Sequence, residues 1–151
     1  MATPNRKLAL DNLKTVLTAI TIANGYKTTV RTVENVGKSW DDVENGERPW
    51  IGIQPQRERY NFYPFKTIHV DLDVILFCHM TAGTQSSRST QINNLLDDII
   101  KAVSTDTTRA ANAISTTIIE AETNEGEDVL ADETAYLEVL LRIRYPRTTA
   151  G

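Results

Sequence analysis

The run from Tyr136 to Tyr145 constrains this chain more than any other. Leu137, Val139, Leu141, Ile143 and Tyr145 fall on one side, while Tyr136, Glu138, Arg142 and Arg144 fall on the other, with Leu140 the exception. Alternation with period two belongs to a strand that has one face on a core and one towards water or a partner. A second run precedes it. Ile68, Val70, Leu72, Val74, Leu76 and Cys78 share one face, and His69, Asp71, Asp73, Ile75, Phe77 and His79 share the other. That second face starts polar and turns apolar, so something is expected to cover its far end.

Helical spacing appears twice. Leu10, Leu13, Leu17 and Ile20 follow Thr3 and Pro4, a good N-cap and first-position pair, and Gly25 suits a left-handed stop. The pattern predicts a helix from about Pro4 to Ala23. Ile92, Leu95, Leu96, Ile99, Ile100 and Val103 keep the i, i+3, i+4, i+7 rule, with Asn93, Asn94, Asp97, Asp98 and Lys101 as the wet side. Tyr26–Val36 reads as a strand from its β-branched residues, and Gly37–Arg48 as a loop. Pro49–Pro55 reads as a short strand closed by prolines, near a sheet edge or ending early. Gln56–Phe65 is expected to be a hairpin tip or an extended arm. Lys66–Met80 is the best strand, Thr81–Ser89 a polar loop, Ser104–Ala113 another loop, and Ile114–Thr123 a strand. Asn124–Glu133 reads as an acidic turn, and residues from about Pro146 to Gly151 as a loose tail.

This order predicts a single α+β domain over residues 1–151: a mostly antiparallel sheet of four to five strands with two main helices on one face. A chain of 151 residues has room for one substantial core. Its 40% hydrophobic and 24% charged content is ordinary for a soluble protein, and no apolar run is long enough to span a bilayer, so no membrane partner is expected. The N-terminal residues lead into an amphipathic pattern and do not read as a secretory signal. A net charge of −4 argues against a domain built to hold nucleic acid. With Cys78 alone, neither an intrachain disulfide nor a cysteine zinc site can form.

Candidate chemistry is sparse. His69, Asp71 and Asp73 project from one side of one strand, where imidazole and carboxylates suit a divalent cation, but three ligands on one strand span a wide arc. A solvated or subunit-facing strand is the better reading. Cys78 belongs to the apolar face, and His79 points the opposite way, so no nucleophile–base pair is formed. Asp97 and Asp98 read as solvated helix charges. The acidic loops lack calcium-loop spacing, and no phosphate-binding glycine loop or nucleophile-elbow motif is present, so neither cofactor nor metal is expected. The segment containing Arg57, Arg59, Tyr60, Phe62 and Tyr63 mixes basic and stacking residues. Single-stranded nucleic-acid platforms and protein interfaces both use such residues, and the acidic balance favours the interface.

The N-terminal helix, the Pro49–Ile53 run, the long alternating strand, the Ile92–Val103 helix and the final Leu137–Tyr145 strand together resemble the tail terminator, or tail completion, proteins of long-tailed bacteriophages. The resemblance covers most of the chain and lies in length, element order and texture. It implies a structural virion protein of the tail or neck, assembled in the bacterial host cytoplasm, and not an enzyme. Such proteins form a ring, typically hexameric, that caps the tail tube, stops its polymerisation and offers the head–tail joining surface. The implied partners are further copies of the chain, the tail tube protein and a connector or stopper, with DNA passing only transiently through the channel. Related head–tail connector proteins share this texture. The expected subunit or tube contacts are Trp40, Arg57, Arg59, Tyr60, Phe62, Tyr63, Glu138, Arg142 and Arg144. Charge reversal at Arg142 and Arg144 is expected to leave the monomer folded and impair the ring. The competing classes are a small metal-dependent hydrolase using His69, Asp71 and Asp73, and a nucleic-acid-binding accessory protein.

Overall fold

The structure, a computed structural model, describes residues 5–39, 42–63, 67–82, 85–125 and 134–148. Helix α1 spans Asn5–Thr18, and a 3₁₀ turn at Ile22–Asn24 follows it. Strands β1 (Thr32–Glu34), β2 (Trp50–Tyr63) and β3 (Thr67–Thr81) come next, then helix α2 (Gln85–Thr105), β4 (Ser115–Thr123) and β5 (Thr134–Thr148). The strands form one sheet in the order β1-β2-β3-β5-β4. Only the β1–β2 pair is parallel. The fold is therefore α+β, as the element order predicts.

Both helices share one core with one face of the sheet. Ala9, Leu13 and Leu17 of α1, and Ile92, Leu95, Ile99, Ala102 and Val103 of α2, pack with Val70 to Met80 of β3 and Ala135 to Tyr145 of β5, taken at alternate positions. Ile100, counted with the apolar stripe, is exposed instead. Asp98, counted with the wet side, is buried: its carboxylate accepts hydrogen bonds from the backbone N–H groups of Lys27 and Thr28 at 2.7–3.1 Å. Asp97 keeps its solvated role, paired with the Lys27 Nζ at 2.8 Å.

Several boundaries differ from the sequence expectations. The N-terminal helix ends at Thr18, and Gly25 (φ 90°) caps the 3₁₀ turn. The Tyr26–Val36 strand shrinks to Thr32–Glu34, because Lys27 and Thr28 spend their N–H groups on Asp98. Helix α2 begins at Gln85, inside the segment expected to be a loop. Strand β2 does not stop at Pro55. It runs to Tyr63, so the aromatic segment through Tyr63 is the second half of a long β2–β3 hairpin. Proline is tolerated there because β1 pairs with β2 only at Trp50–Gly52 and no ladder partner requires the Pro55 N–H. The C-terminal strand likewise continues through Pro146 to Thr148, which takes the first half of the expected loose tail into the sheet; residues 149–151 lie outside the described residues.

Candidate interaction surface

The side of the sheet away from the helices is the molecule's most organised polar surface. Two irregularities fix its composition: a register shift between Ile118 and Glu120 puts Glu120 and Glu122 on this face, and a second lies in β2. Between Pro55 and Arg57 the β2–β3 register shifts by a residue, leaving Gln56 as the extra residue of a β-bulge. Beyond it, Arg57, Arg59 and Asn61 stand on the far face, opposite Asp73, Asp71 and His69. Glu58, Tyr60 and Phe62 stand on the helix side, opposite Leu72, Val70 and Ile68. The residues grouped from sequence as a single set of anchors are thus divided between two faces.

On the far face, β3 lies between β2 and β5, and two rows cross the three strands. Arg57, Asp73 and Arg142 form one row, and Arg59, Asp71 and Arg144 the next. Arg142 Nε donates to Asp73 Oδ1 at 3.0 Å, and Arg57 Nε lies 3.8 Å from Asp73 Oδ2. Arg144 grips Asp71 with two bonds, Nε to Oδ1 at 2.7 Å and Nη2 to Oδ2 at 3.0 Å, in the fork geometry suited to a carboxylate. Asp71 and Asp73 are only 8% and 5% exposed. The hydrogen bond from Arg144 holds the Asp71 carboxyl below its ordinary value, against the opposing pull of burial. These aspartates, weighed above as metal ligands, are committed to guanidinium partners, and among the described residues no group of three or more His, Cys, Asp or Glu side chains is arranged to hold a metal ion.

The pairing also corrects the expected behaviour of Arg142 and Arg144. They are not free surface charges, and reversing them would set new carboxylates against two buried ones, so the monomer itself would suffer.

Towards the other end of the same face the charge changes sign. Glu120 and Glu122 of β4 and Glu138 of β5 line a shallow depression of about 200 Å³ with Leu140, Ile75 and Arg57. Glu122 sits directly opposite Glu138 in the β4–β5 ladder, a like-charge pairing that costs stability in an isolated sheet. Past this patch the face is covered, as the apolar turn of β3 predicts. His79 is buried, its ring 5.5 Å from Trp50 and 5.1 Å from Tyr136, and its Nε2 lies 2.8 Å from the Lys38 carbonyl oxygen. A Cβ on Gly37 would come within 2.7 Å of the Phe77 ring, so glycine lets the loop after β1 lie this close without displacing that side chain. Burial holds the His79 imidazole below its ordinary value.

On the helix side, the end of the hairpin extends past the core. Phe62 is 75% exposed and Tyr60 49%. Its root is tied to α1: Glu58 accepts hydrogen bonds from Arg6 (2.6 Å), Tyr145 (3.1 Å) and Tyr60. Burial pushes the Glu58 carboxyl up, but these three donors together hold it below its ordinary value. Tyr63 closes the β2 ladder opposite Thr67, and Trp40 lies outside the described residues. Glu120 and Glu122 are the surface residues that the sequence did not single out; Asp71 and Asp73, read from sequence as candidate metal ligands on a solvated or subunit-facing strand, prove to be buried partners of arginine. The clue to the aspartates was the matching two-residue spacing of Asp71 and Asp73 with Arg142 and Arg144. Cys78 is fully buried, and burial pushes its thiol far up.

No protein-family model matches the chain, and no curated protein matches it. Among solved structures, a chain of the virion of a native gene transfer agent (GTA) particle is similar at 8% identity, over 92% of each chain, with a TM-score of 0.42. A likeness of that degree carries no argument about what this chain does.

Proposed function

We propose that the protein is a structural component of a phage-type virion, of the tail-terminator kind, and acts by assembly and not by catalysis. It joins copies of itself into a ring, on the order of six, that caps the tail tube, ends tube polymerisation and presents the surface to which the head side is joined. Its partners on this reading are its own copies, the tail tube protein and a connector or stopper, with DNA passing through the ring. A head–tail connector role in the neck is the nearest alternative, because it calls for the same kind of ring.

The observation that carries the proposal is the built face of the sheet away from the helices, which among the described residues is covered only at its His79 end. Four arginines surround two buried aspartates at one end of it, and a like-charged glutamate pair stands at the other. A face with this much charge order, beside a hairpin that exposes Tyr60 and Phe62, is what an assembling subunit presents. Asp71 and Asp73 already serve Arg144 and Arg142, which weakens the metal-hydrolase alternative.

Native mass spectrometry of the purified chain, alone and with tail tube protein, tests the proposal. A closed ring, together with tubes that stop growing when it is added, is the expected result. A chain that stays monomeric at high concentration and leaves tube growth unchanged would overturn it.

A further inference from the structure

We infer that neighbouring copies join edge to edge, the outer edge of β4 on one copy pairing antiparallel with the projecting half of β2 on the next, with Glu122 and Glu120 set beside Arg57 and Arg59. This rests on the ring reading and names the surface that builds the ring.

Three observations lead to it. First, both edges are open. Among the described residues β4 pairs only with β5, and β2 beyond Gly52 pairs only with β3. Open edges offer a row of unpaired N–H and C=O groups to another chain. Pro55 and the bulge blunt the beginning of the free β2 edge, but Arg57–Tyr63 contains no proline. Second, the directions agree. β2 and β5 run one way and β3 and β4 the other, so β4 of one copy meets β2 of the next in the antiparallel sense found throughout the rest of the sheet.

Third, charge and register converge on one offset. Within one copy, Glu122 lies level with Glu138, Phe77 and finally Gly52, while Glu120 lies level with Leu140, Ile75 and Gln54. A neighbour cannot dock at that level, because β1 already occupies Trp50–Gly52. Sliding it by four ladder steps, roughly 13 Å, clears both β1 and Pro55. Four is an even number, so every side chain keeps its face. The same slide places Glu122 opposite Arg57 and Glu120 opposite Arg59. It gives the unfavourable Glu122–Glu138 pair a cationic neighbour, and it uses the regular stretch of β4 from Glu120 to Thr123, beyond the register shift that leaves Ile119 unpaired. The contact is heterologous, using a different surface on each partner, and such contacts close into rings when the rotation allows. A constant stagger from strand to strand is what closing a sheet requires.

The test uses the full chain. Glu120→Arg combined with Glu122→Arg puts arginine opposite Glu138, so the monomer keeps or gains stability while the edge loses its match. Native mass spectrometry should show the concentration for half-assembly raised roughly tenfold or more. Arg57→Gln with Arg59→Gln should weaken assembly from the other side without setting new carboxylates against Asp71 and Asp73. Mixing the two variants leaves one matched contact, the native β4 edge of one variant on the native β2 edge of the other, so they should stop at one-to-one dimers. A second variant guards against misfolding: Arg57→Cys with Glu122→Cys. Three strand spacings, about 14 Å, separate β2 from β4 within a chain, beyond disulfide reach, so oxidation can link only neighbours. A ladder of covalent oligomers is expected. If the wild type forms rings while the charge variants assemble equally well and no ladder appears, the inference is overturned and the ring reading stands. If the wild type forms no ring, both fail.

Discussion

Replacing Arg144 with methionine should destabilise the monomer by about 2 kcal/mol at neutral pH. Methionine keeps most of the stem that packs on the sheet and removes the guanidinium. Asp71 would then keep Asn61, at 3.4 Å, as a donor from the neighbouring strand, in a position that is 8% exposed. Breaking a fully buried pair costs about 3–5 kcal/mol, and an exposed pair is worth about 0–1. The Arg144 side chain is 41% exposed against 11% for that of Asp71, which places this pair between the limits. For a chain of this size the change corresponds to a fall in Tm of about 4–8 °C. Urea unfolding, followed by circular dichroism at low concentration so that assembly does not intervene, gives the difference directly. The pH dependence is the sharper check. Arg144 lowers the folded-state pKa of Asp71, so the stability that this carboxylate contributes is fully present above its unfolded value near 4 and is lost as pH falls through the lower folded value. In the variant, burial acts without the main opposing cation, and protonation relieves the cost. The gap between the two proteins should therefore shrink as pH falls from 7 towards 3. A gap below about 0.5 kcal/mol at pH 7, or one that stays constant with pH, would refute the reasoning.

Other outcomes follow from the same geometry. His79 is held below its ordinary value by burial, so the unfolded chain binds more protons and stability should fall as pH drops below about 6.5; His79→Gln, which can still donate to the Lys38 carbonyl, should flatten that slope in urea titrations. Gly52→Ala would place a Cβ 2.2 Å from the Val36 carbonyl oxygen and 2.4 Å from the Trp50 ring, and should cost roughly 1–3 kcal/mol of stability by thermal melting, with β1 the first element to detach. Phe62→Ser should leave monomer stability within about 0.5 kcal/mol and weaken assembly in sedimentation velocity; unchanged sedimentation would remove the hairpin end from the interface. Cys78 should resist thiol reagents in the native state and react only as the chain unfolds, because its thiol is buried and its ionisation suppressed.

The elements legible in the sequence are those whose side-chain period is uninterrupted. β3, β5 and α2 fall where their alternation or helical spacing places them, because each buries one full face on the shared core. Legibility failed where a distant residue captured the backbone. Tyr26–Arg31 has strand composition, but Asp98, some seventy residues on, takes the N–H groups of Lys27 and Thr28. The pattern within α2 could not show that Asp98 faces inwards, since its partner is backbone. The pairing of Asp71 with Arg144 and of Asp73 with Arg142 was equally hidden. Both residue pairs are plain in the sequence, but only the β3–β5 register decides that they meet.

The bulge at Gln56 shows how much of the surface hangs on one residue. Without it, β2 would keep its phase through Pro55 and turn Arg57 and Arg59 towards the helices, where Leu72 and Val70 lie, and turn Glu58 and Tyr60 onto the polar face. Asp71 and Asp73 would face two arginines from β5 and a carboxylate from β2. The extra residue puts the arginines on the charged face and leaves Glu58 on the helix side, within reach of Arg6 and Tyr145. A composition scan of the segment sees basic and aromatic residues side by side. The ladder separates them into a cationic edge on one face and an exposed aromatic pair on the other, so a partner that binds along this strand meets the two chemistries on opposite faces.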